Sequence, residues 1–525
     1  MPQRDTVTNP VTPGIITSPM FRVRGQTSNW SYPHEAAIPE STKKLSNINI
    51  SERGVAETRD GWSKYNSSST SEAVTGLIQV PYSTGNHVVV NTPTKIYDDD
   101  GSTRNNITGS VSFSGSDADS FYRYVFLKDA LYATDGVNPI WTKDNDFDSS
   151  PNNAAVISYS ANGITLQGAR DIAAHQGILV AANVKESGSW YPTRLRWCGV
   201  DTNDYSINPA YWPDRNRYEV YEGGAAIVGV VDNFTNLLVF KEDGVYPGRI
   251  DGDIGFLEFR LDEQRVQRGF SPVAKNSLVA RPEFVFCVAK EGAVVIRPDL
   301  SFEVVTSSIQ NEWRKLVQGR LKNAVSWVRE KDHQVRTLLS SSGTGHNIIF
   351  VWDYQTGQAW FDYPAMNIGF ATEAELSNVD YDFIGATDGY LYKGNDADKA
   401  TDDGGAFNWE ITMQDNDLGQ PGRAKHIVRF RTFYEWKSGN TSSGLTLFLD
   451  RGAQSSRSTT IKFENLFCSW NDNITFWNDD TKYMGGNAVE DIYFVNRIAE
   501  TISPRWTGTQ PAKIVGYQVE YELME

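Results

Sequence analysis

The side chains able to do chemistry are plentiful in this chain, but the sequence does not gather them. Six histidines, His34, His87, His175, His333, His346 and His426, are scattered over 525 residues without an HxH or HExxH pair. Such a pair would set two imidazoles on one face of an element, as a bound metal requires. Three cysteines, Cys198, Cys287 and Cys468, are odd in number, far apart and without CxxC spacing. Neither a zinc cluster nor a disulfide framework is expected, and a reducing compartment during folding fits them best. No G-x-S-x-G elbow, P-loop or dinucleotide fingerprint occurs. No catalytic residue, cofactor-binding residue, cofactor or metal ligand is therefore assigned, and the chain is expected not to be an enzyme.

Two acidic clusters invite a calcium reading. Asp98-Asp99-Asp100-Gly101 and Asp144-Asn145-Asp146-Phe147-Asp148 offer hard oxygen ligands. The second lacks the glycine and the distal glutamate of a calcium loop, and aspartate in such text is simply a good turn residue. Asp353–Trp360 (DYQTGQAW) has an outward likeness to the sialidase box S-x-D-x-G-x-T-W. Its glycine falls four residues after the aspartate rather than two, and the box does not recur. Most aromatics sit inside strand-like runs, where core packing is the simpler role. Trp30, Trp190 and Trp212 lie in polar text and are the candidates for contact with partners.

The elements that would position these groups are strands. Short β-branched or aromatic runs such as His87–Val90, Leu237–Phe240, Phe284–Val288, Ile348–Trp352 and Val428–Trp436 are closed by Gly, Asp, Asn and Ser. Helical spacing is confined to Ile309–Leu321, with Trp313, Leu316 and Val317 on one side. The chain is all-β.

A unit of apolar strand, Lys/Asp/Glu–Gly turn and second apolar strand recurs at Leu237–Ile250, Phe284–Pro298 and Asp382–Gly394, with a degenerate copy at Tyr124–Gly136. The turn glycines Gly244, Gly292 and Gly389 give a period near 48, and Asn347–Trp360 supplies a copy for the double gap. That period is too long for a hairpin and suits a four-stranded propeller blade. A β-propeller, with six blades the favoured count, is expected over residues 71–400, with insertions at Asp144–Gly163 and Asp201–Asn216. Residues 1–70, broken by Pro2, Pro10, Pro13, Pro19, Pro33 and Pro39, read as an extended N-terminal arm followed by the first propeller strands. Residues 407–525 alternate apolar and polar, as in V-R-F-R-T-F-Y, and read as a C-terminal antiparallel β-sandwich.

Aromatics make up 12% of the chain and apolar residues 39%, enough for a large core and incompatible with disorder throughout. The net charge is −16. Residues 1–70 carry eight Lys/Arg against six Asp/Glu, residues 407–525 twelve against fifteen, and the propeller stretch holds nearly all of the excess. This argues against tight sequence-specific nucleic-acid binding, which needs basic surface to displace counterions. The start MPQRDTVTNP has no apolar stretch, so no secretory signal is expected, and the longest apolar run, Ala225 to Val231, is too short to span a bilayer.

The order of these features resembles the tail hub or nozzle proteins of short-tailed bacteriophages, which are built on a β-propeller. The resemblance rests on SNINISERGVAETRDGW (Ser46–Trp62), TRLRWCGVDTNDYSINPAYW (Thr193–Trp212), NLLVFKEDGVY (Asn236–Tyr246), the VFCVAKEGAVVI to TSSIQNEW stretch (Val285–Trp313), the turn at Asp353–Trp360 and IGATDGYLY (Ile384–Tyr392). Cys198 stands where the family segment usually has serine, and Arg59-Asp60-Gly61 where Arg-Pro-Gly is common. The resemblance implies a structural virion protein, assembled in the bacterial cytoplasm, six copies of which ring the tail below the head-to-tail adaptor. Viral DNA would pass through the ring non-specifically, and tail fibres or spikes and a needle or plug would attach around it. An acidic lumen would repel phosphates and keep the DNA from sticking. The rival readings are a carbohydrate-binding or glycan-cleaving propeller acting in receptor binding, and a baseplate or fibre component.

Overall fold

The computed structural model describes residues 15–524 apart from 25, 27–40, 52–53, 81–86, 145–153, 158–163, 201–205, 234–235, 254–255, 344, 397–400, 436–440, 455 and 464–488. Much of the expected arm, the acidic run after Asp144, Trp30 and Cys468 lie outside the described residues. The chain forms two compact units. One is Gly61–Asp396 with Asp402–Gly405; the other is Met1–Asp60, Ala397–Thr401 and Ala406–Glu525.

The first unit is a β-propeller of seven antiparallel blades, not the favoured six, each with four strands in series and the fourth blade carrying a fifth, Gln267–Arg268, beside its third. Their innermost strands are Gly76–Gln79, Arg123–Leu127, Leu166–His175, Ile227–Asn233, Val279–Ala280, Val325–Arg329 and Ile368–Leu376. From blade 2 onward each packs beside the next, and Ile368–Leu376 packs beside Gly76–Gln79. Blades 1 and 2 are joined by Tyr122 N–H donating to Thr75 O (3.0 Å) and Tyr124 OH donating to Asn91 Oδ1 (2.7 Å). The seventh blade takes its outer strand from the start of the unit. Gly61–Lys64 pairs with Leu391–Asp396 in the register Tyr392↔Lys64, Lys393↔Ser63 and Gly394↔Trp62. That borrowed strand falls outside the repeat pattern, which is one reason the repeat undercounts the blades.

The turn glycines explain the rest of the difference. Gly244, Gly292 and Gly389 all lie between the second and third strands of blades 4, 5 and 7. Blade 1 makes that turn with Thr92–Lys95 and has no glycine there. In blade 6 the Asp353–Gly357 turn joins the third and fourth strands, Ile348–Asp353 and Ala359–Asp362, so the copy at Asn347–Trp360 is one strand out of register. The insertion expected at Asp201–Asn216 does fall between the third and fourth strands of blade 3, beside a small hairpin of Gly199–Val200 and Ile207–Asn208. The helical stretch is one turn, Gln310–Trp313, flanked by 3-10 turns, with Trp313 and Leu316 buried.

Continuous apolar runs arise because the middle strands of a blade are covered on both faces. In Asn236–Lys241, Leu237 and Val239 pack toward blade 3, while Leu238 and Phe240 join a cluster with Val285 and Cys287 of blade 5. In the same strand of blade 5, Val285–Val288, Phe286 and Val288 turn the other way, toward Trp313 and Phe350. The period of two is intact, but both phases are buried, so the text shows no polar alternation. Blades approach closely where side chains are absent. A Cβ on Gly369 would lie 2.1 Å from Val74 O, so blade 7 seats against the strand entering blade 1 only with glycine there.

The second unit is a sandwich of two antiparallel sheets. One runs in the order Ile48–Ile50, Ala56–Thr58, Lys513–Leu523, Lys425–Tyr434, Val489–Ala499, with Ile16–Thr17 beside Lys513–Leu523. The other contains Thr42–Ser46, Trp409–Met413, Ile502–Gly508, Thr441–Leu449 and Arg457–Phe463 in that order. Their facing core is aromatic: Phe430 lies 6.0 Å from Trp506 and 5.3 Å from Tyr517, centroid to centroid. The Asn47–Arg59 motif is structural. Arg59 is buried, donates through Nε to Asn47 Oδ1 at 2.9 Å, and lies 3.8 Å over the Phe407 ring.

Because Phe240 is fully buried between two blades, Phe240→Ala leaves a cavity that neither neighbour can fill. The expected loss is about 3–5 kcal/mol of unfolding free energy, read as a lower urea midpoint at unchanged m. A loss below about 1 kcal/mol would contradict the two-sided packing.

Candidate functional site

Among the described residues, which exclude His34, the structure does not gather the histidines. His87 Nδ1 pairs with Asp98 Oδ1 (2.8 Å) in blade 1, and His175 Nδ1 with Asp232 Oδ1 (2.6 Å) across blades 3 and 4. His333 faces Tyr354 OH, and His426 Nε2 meets Asn496 Oδ1 at 2.7 Å in the sandwich. The first acidic cluster is occupied by protein donors. Asp99 accepts from Arg104 Nε (2.6 Å) and Asn66 Nδ2 (3.0 Å), and Asp100 Oδ1 accepts the amides of Ser102 and Thr103. Asp353 Oδ1 accepts the amides of Gln355 and Thr356, which makes DYQTGQAW a tight turn with Trp360 fully buried behind it. Of the aromatic contact candidates, Trp190 is 39% exposed, whereas Trp212 is core at 2%. The polar text around Trp212 misleads because Ile164 N–H donates to its carbonyl and its ring belongs to the blade 2–4 core.

The concave feature that sequence reasoning missed is a cavity of about 470 Å³ at the propeller axis, lined from the blade 1–2 connection through blade 4 to the connections entering blades 5 and 6. Its wall combines apolar Phe121, Val137, Ile227 and Val273 with the cations Arg170, Lys275 and Lys322 and the acids Asp117, Asp119, Asp135 and Glu242. None of these positions is close in sequence to more than a few others. The inner strand ends and the turns between second and third strands bring them together.

Beneath the cavity lies a charged contact between blades. Asp171 of blade 3 is fully buried; its Oδ2 accepts Val230 N–H at 2.8 Å and its Oδ1 is 3.5 Å from Arg123 Nε. Burial raises the Asp171 carboxyl above its ordinary value, against the pull of Arg123 and Lys275. Burial likewise lowers the Lys275 ammonium to about 8, opposed by Asp171 and Asp135. Lys275 Nζ donates to Arg170 O at 2.9 Å. Gly136, at φ 84°, makes that approach possible, since a Cβ there would lie 2.9 Å from Nζ.

Two further buried groups join blades 6 and 7. Asp382 accepts from Trp327 Nε1 at 2.8 Å and from the guanidiniums of Arg329 and Arg336. Burial would raise its carboxyl, and the two arginines more than offset that, holding it low. His346 places Nε2 2.9 Å from Asn323 O and Nδ1 3.2 Å from the carbonyls of Ile368 and Gly369. Burial nonetheless lowers the imidazole from 6.5 to about 4.

No family model matches the sequence, and no curated protein matches it. Among solved structures the chain is similar to the extracellular domain of a putative hybrid two-component system from B. thetaiotaomicron, at 10% identity and TM-score 0.38. That match covers 70% of this chain, which spans 42% of the other. The chain is also similar to the Pan2 WD40 domain of Neurospora crassa, at 7% identity and TM-score 0.36, covering 66% of this chain and 97% of that one. The propeller assignment rests on the strand pairing within this chain. Among the described residues no helix is long and apolar enough to cross a membrane.

His346 generates a pH prediction. The folded state holds it neutral down to about 4, while the unfolded chain protonates near 6.5, so its contribution is complete above 6.5 and is lost as pH falls toward 4. The loss is at most about 3 kcal/mol. The difference in urea-derived stability between wild type and His346→Gln should therefore shrink from pH 7 toward pH 4.5 (about four fifths of the way from 6.5 to 4). A difference that stays constant would refute the assignment.

Proposed function

We propose that the chain is a non-enzymatic structural protein of a phage tail that works as a homo-oligomeric ring, six copies forming a nozzle below the head-to-tail adaptor. Viral DNA leaves through the ring, and fibres or spikes and a needle or plug attach to it. The protein is assembled in the host cytoplasm and resides in the virion. The reading is supported by the order of sequence features from Ser46 to Tyr392, and the observation that carries it is on the sandwich. Val489–Ala499 pairs with Lys425–Tyr434 on one side and, among the described residues, with no strand on the other. Along it Ile492, Phe494 and Ile498 stand 39%, 65% and 49% exposed on one face. A row of exposed apolar side chains on an edge strand favours association in a soluble protein, and an assembly protein uses such a row as a subunit contact.

The test is negative-stain imaging with a solution mass, on the chain alone and mixed with its adaptor ring. A sixfold hollow particle is expected, and Phe494→Asp with Ile498→Asp should prevent it while leaving the thermal midpoint within about 2 °C. A chain that stays monomeric and ignores the adaptor, or a ring that tolerates both substitutions, would sink the proposal.

A further inference from the structure

We infer that the axial cavity of the propeller binds a small organic oxyanion, a carboxylate or a phosphate ester, gripped by Lys275, Arg170, Lys322 and the side-chain amide of Asn323. This does not depend on the tail reading. A volume of about 470 Å³ lies within the range of small-molecule sites, and the lining is more polar than apolar, which suits a charged ligand better than an apolar one.

The charges lining the cavity nearly balance, but the hydrogen-bonding capacity does not. The acids are mostly spent. Asp135 accepts from Ser116 Oγ, the amides of Val137 and Asn138, and Asn138 Nδ2. Asp119 is held by the Arg320 guanidinium through both oxygens, and Asp117 Oδ1 accepts Asp119 N–H and Ser120 Oγ. Glu242, exposed at the rim, is the exception.

The donors keep capacity to spare, Asn323 as a buried group, Lys275 half-buried, and Arg170 and Lys322 as exposed cations. Lys275 uses one of its three ammonium protons, on Arg170 O. Arg170 lies 5.7 Å over the Trp190 ring, and its guanidinium donates to no described residue. Asn323 is 6% exposed, and its buried Nδ2 has no partner, while its backbone carbonyl meets His346 Nε2. An unpaired buried amide donor costs roughly 1–3 kcal/mol, so it marks a place where an acceptor belongs. A ligand that supplies acceptors and negative charge satisfies Lys275, Arg170, Lys322 and Asn323 together, and a hydroxyl or amine on the same molecule would meet Glu242.

Anion binding also favours the ammonium form of Lys275. With that group lowered to about 8, its charged fraction falls from about nine tenths at pH 7 to one tenth at pH 9, so affinity should fall about tenfold over that interval. The experiment is calorimetric titration of the full chain at fixed ionic strength with inorganic phosphate, citrate and glucose 6-phosphate as probes. At least one is expected to bind at a single saturable site, with proton uptake above pH 8, and to bind about tenfold more weakly at pH 9. Lys275→Met should abolish binding. Because that variant also leaves Asp171 without its neighbour, Lys322→Ala and Asn323→Ala serve as the folded controls, each weakening binding about tenfold without lowering the thermal midpoint. Failure of all three probes to bind, or binding that both alanine variants leave untouched, would overturn the inference.

Discussion

Closure of the seventh blade by Gly61–Lys64 is the constraint on which the propeller depends. Each blade exposes an apolar face to either side, so an open ring would leave two such faces in water. The closing strand is more than 300 residues from its partner in sequence, yet loop-closure entropy grows only with the logarithm of that separation. What makes the pairing specific is local: Trp62 is buried in the closing strand, and a Cβ on Gly394 would lie 2.6 Å from its indole nitrogen. Asp403 N–H donating to Trp62 O at 2.7 Å fastens the other side of the strand.

Between blades the apolar contacts are permissive, since Leu, Val and Phe can slide against one another with modest loss. The buried polar contacts are not. Asp171 with Arg123, Asp382 with Arg329 and Arg336, and His346 with three carbonyls each require one arrangement of the neighbouring blade. Such pairs contribute little net stability because desolvation offsets their attraction, but displacing one partner strands the other. They therefore set the blade-to-blade register, and the axial cavity is where that register leaves donors over.

The sandwich solves a different problem with the same residue types. Its strands have one face on the core and one in water, so Lys425–Tyr434 alternates through Ile427, Phe430 and Tyr434 around a single aromatic centre. Val489–Ala499 departs from this by turning apolar side chains outward, and that departure is the part of the unit not accounted for by its own folding.

The all-β class, the propeller repeat and the sandwich could be read from the sequence, because strand runs, turn residues and alternation are local signals. The buried strand at Leu237–Phe240 was legible for the same reason. The blade number was not, since one blade is completed by a strand from the other end of the unit and another has its glycine one turn later. Nor was the burial of Trp212, whose polar neighbours are satisfied by distant backbone. The cavity was invisible altogether: Asp135, Arg170, Lys275 and Asn323 are unremarkable singly, and only the ring brings them to one axis. Local sequence determines which segments become strands and which faces are apolar; which donors end up unpaired beside one another depends on contacts between residues a hundred or more positions apart, and those only the tertiary structure decides.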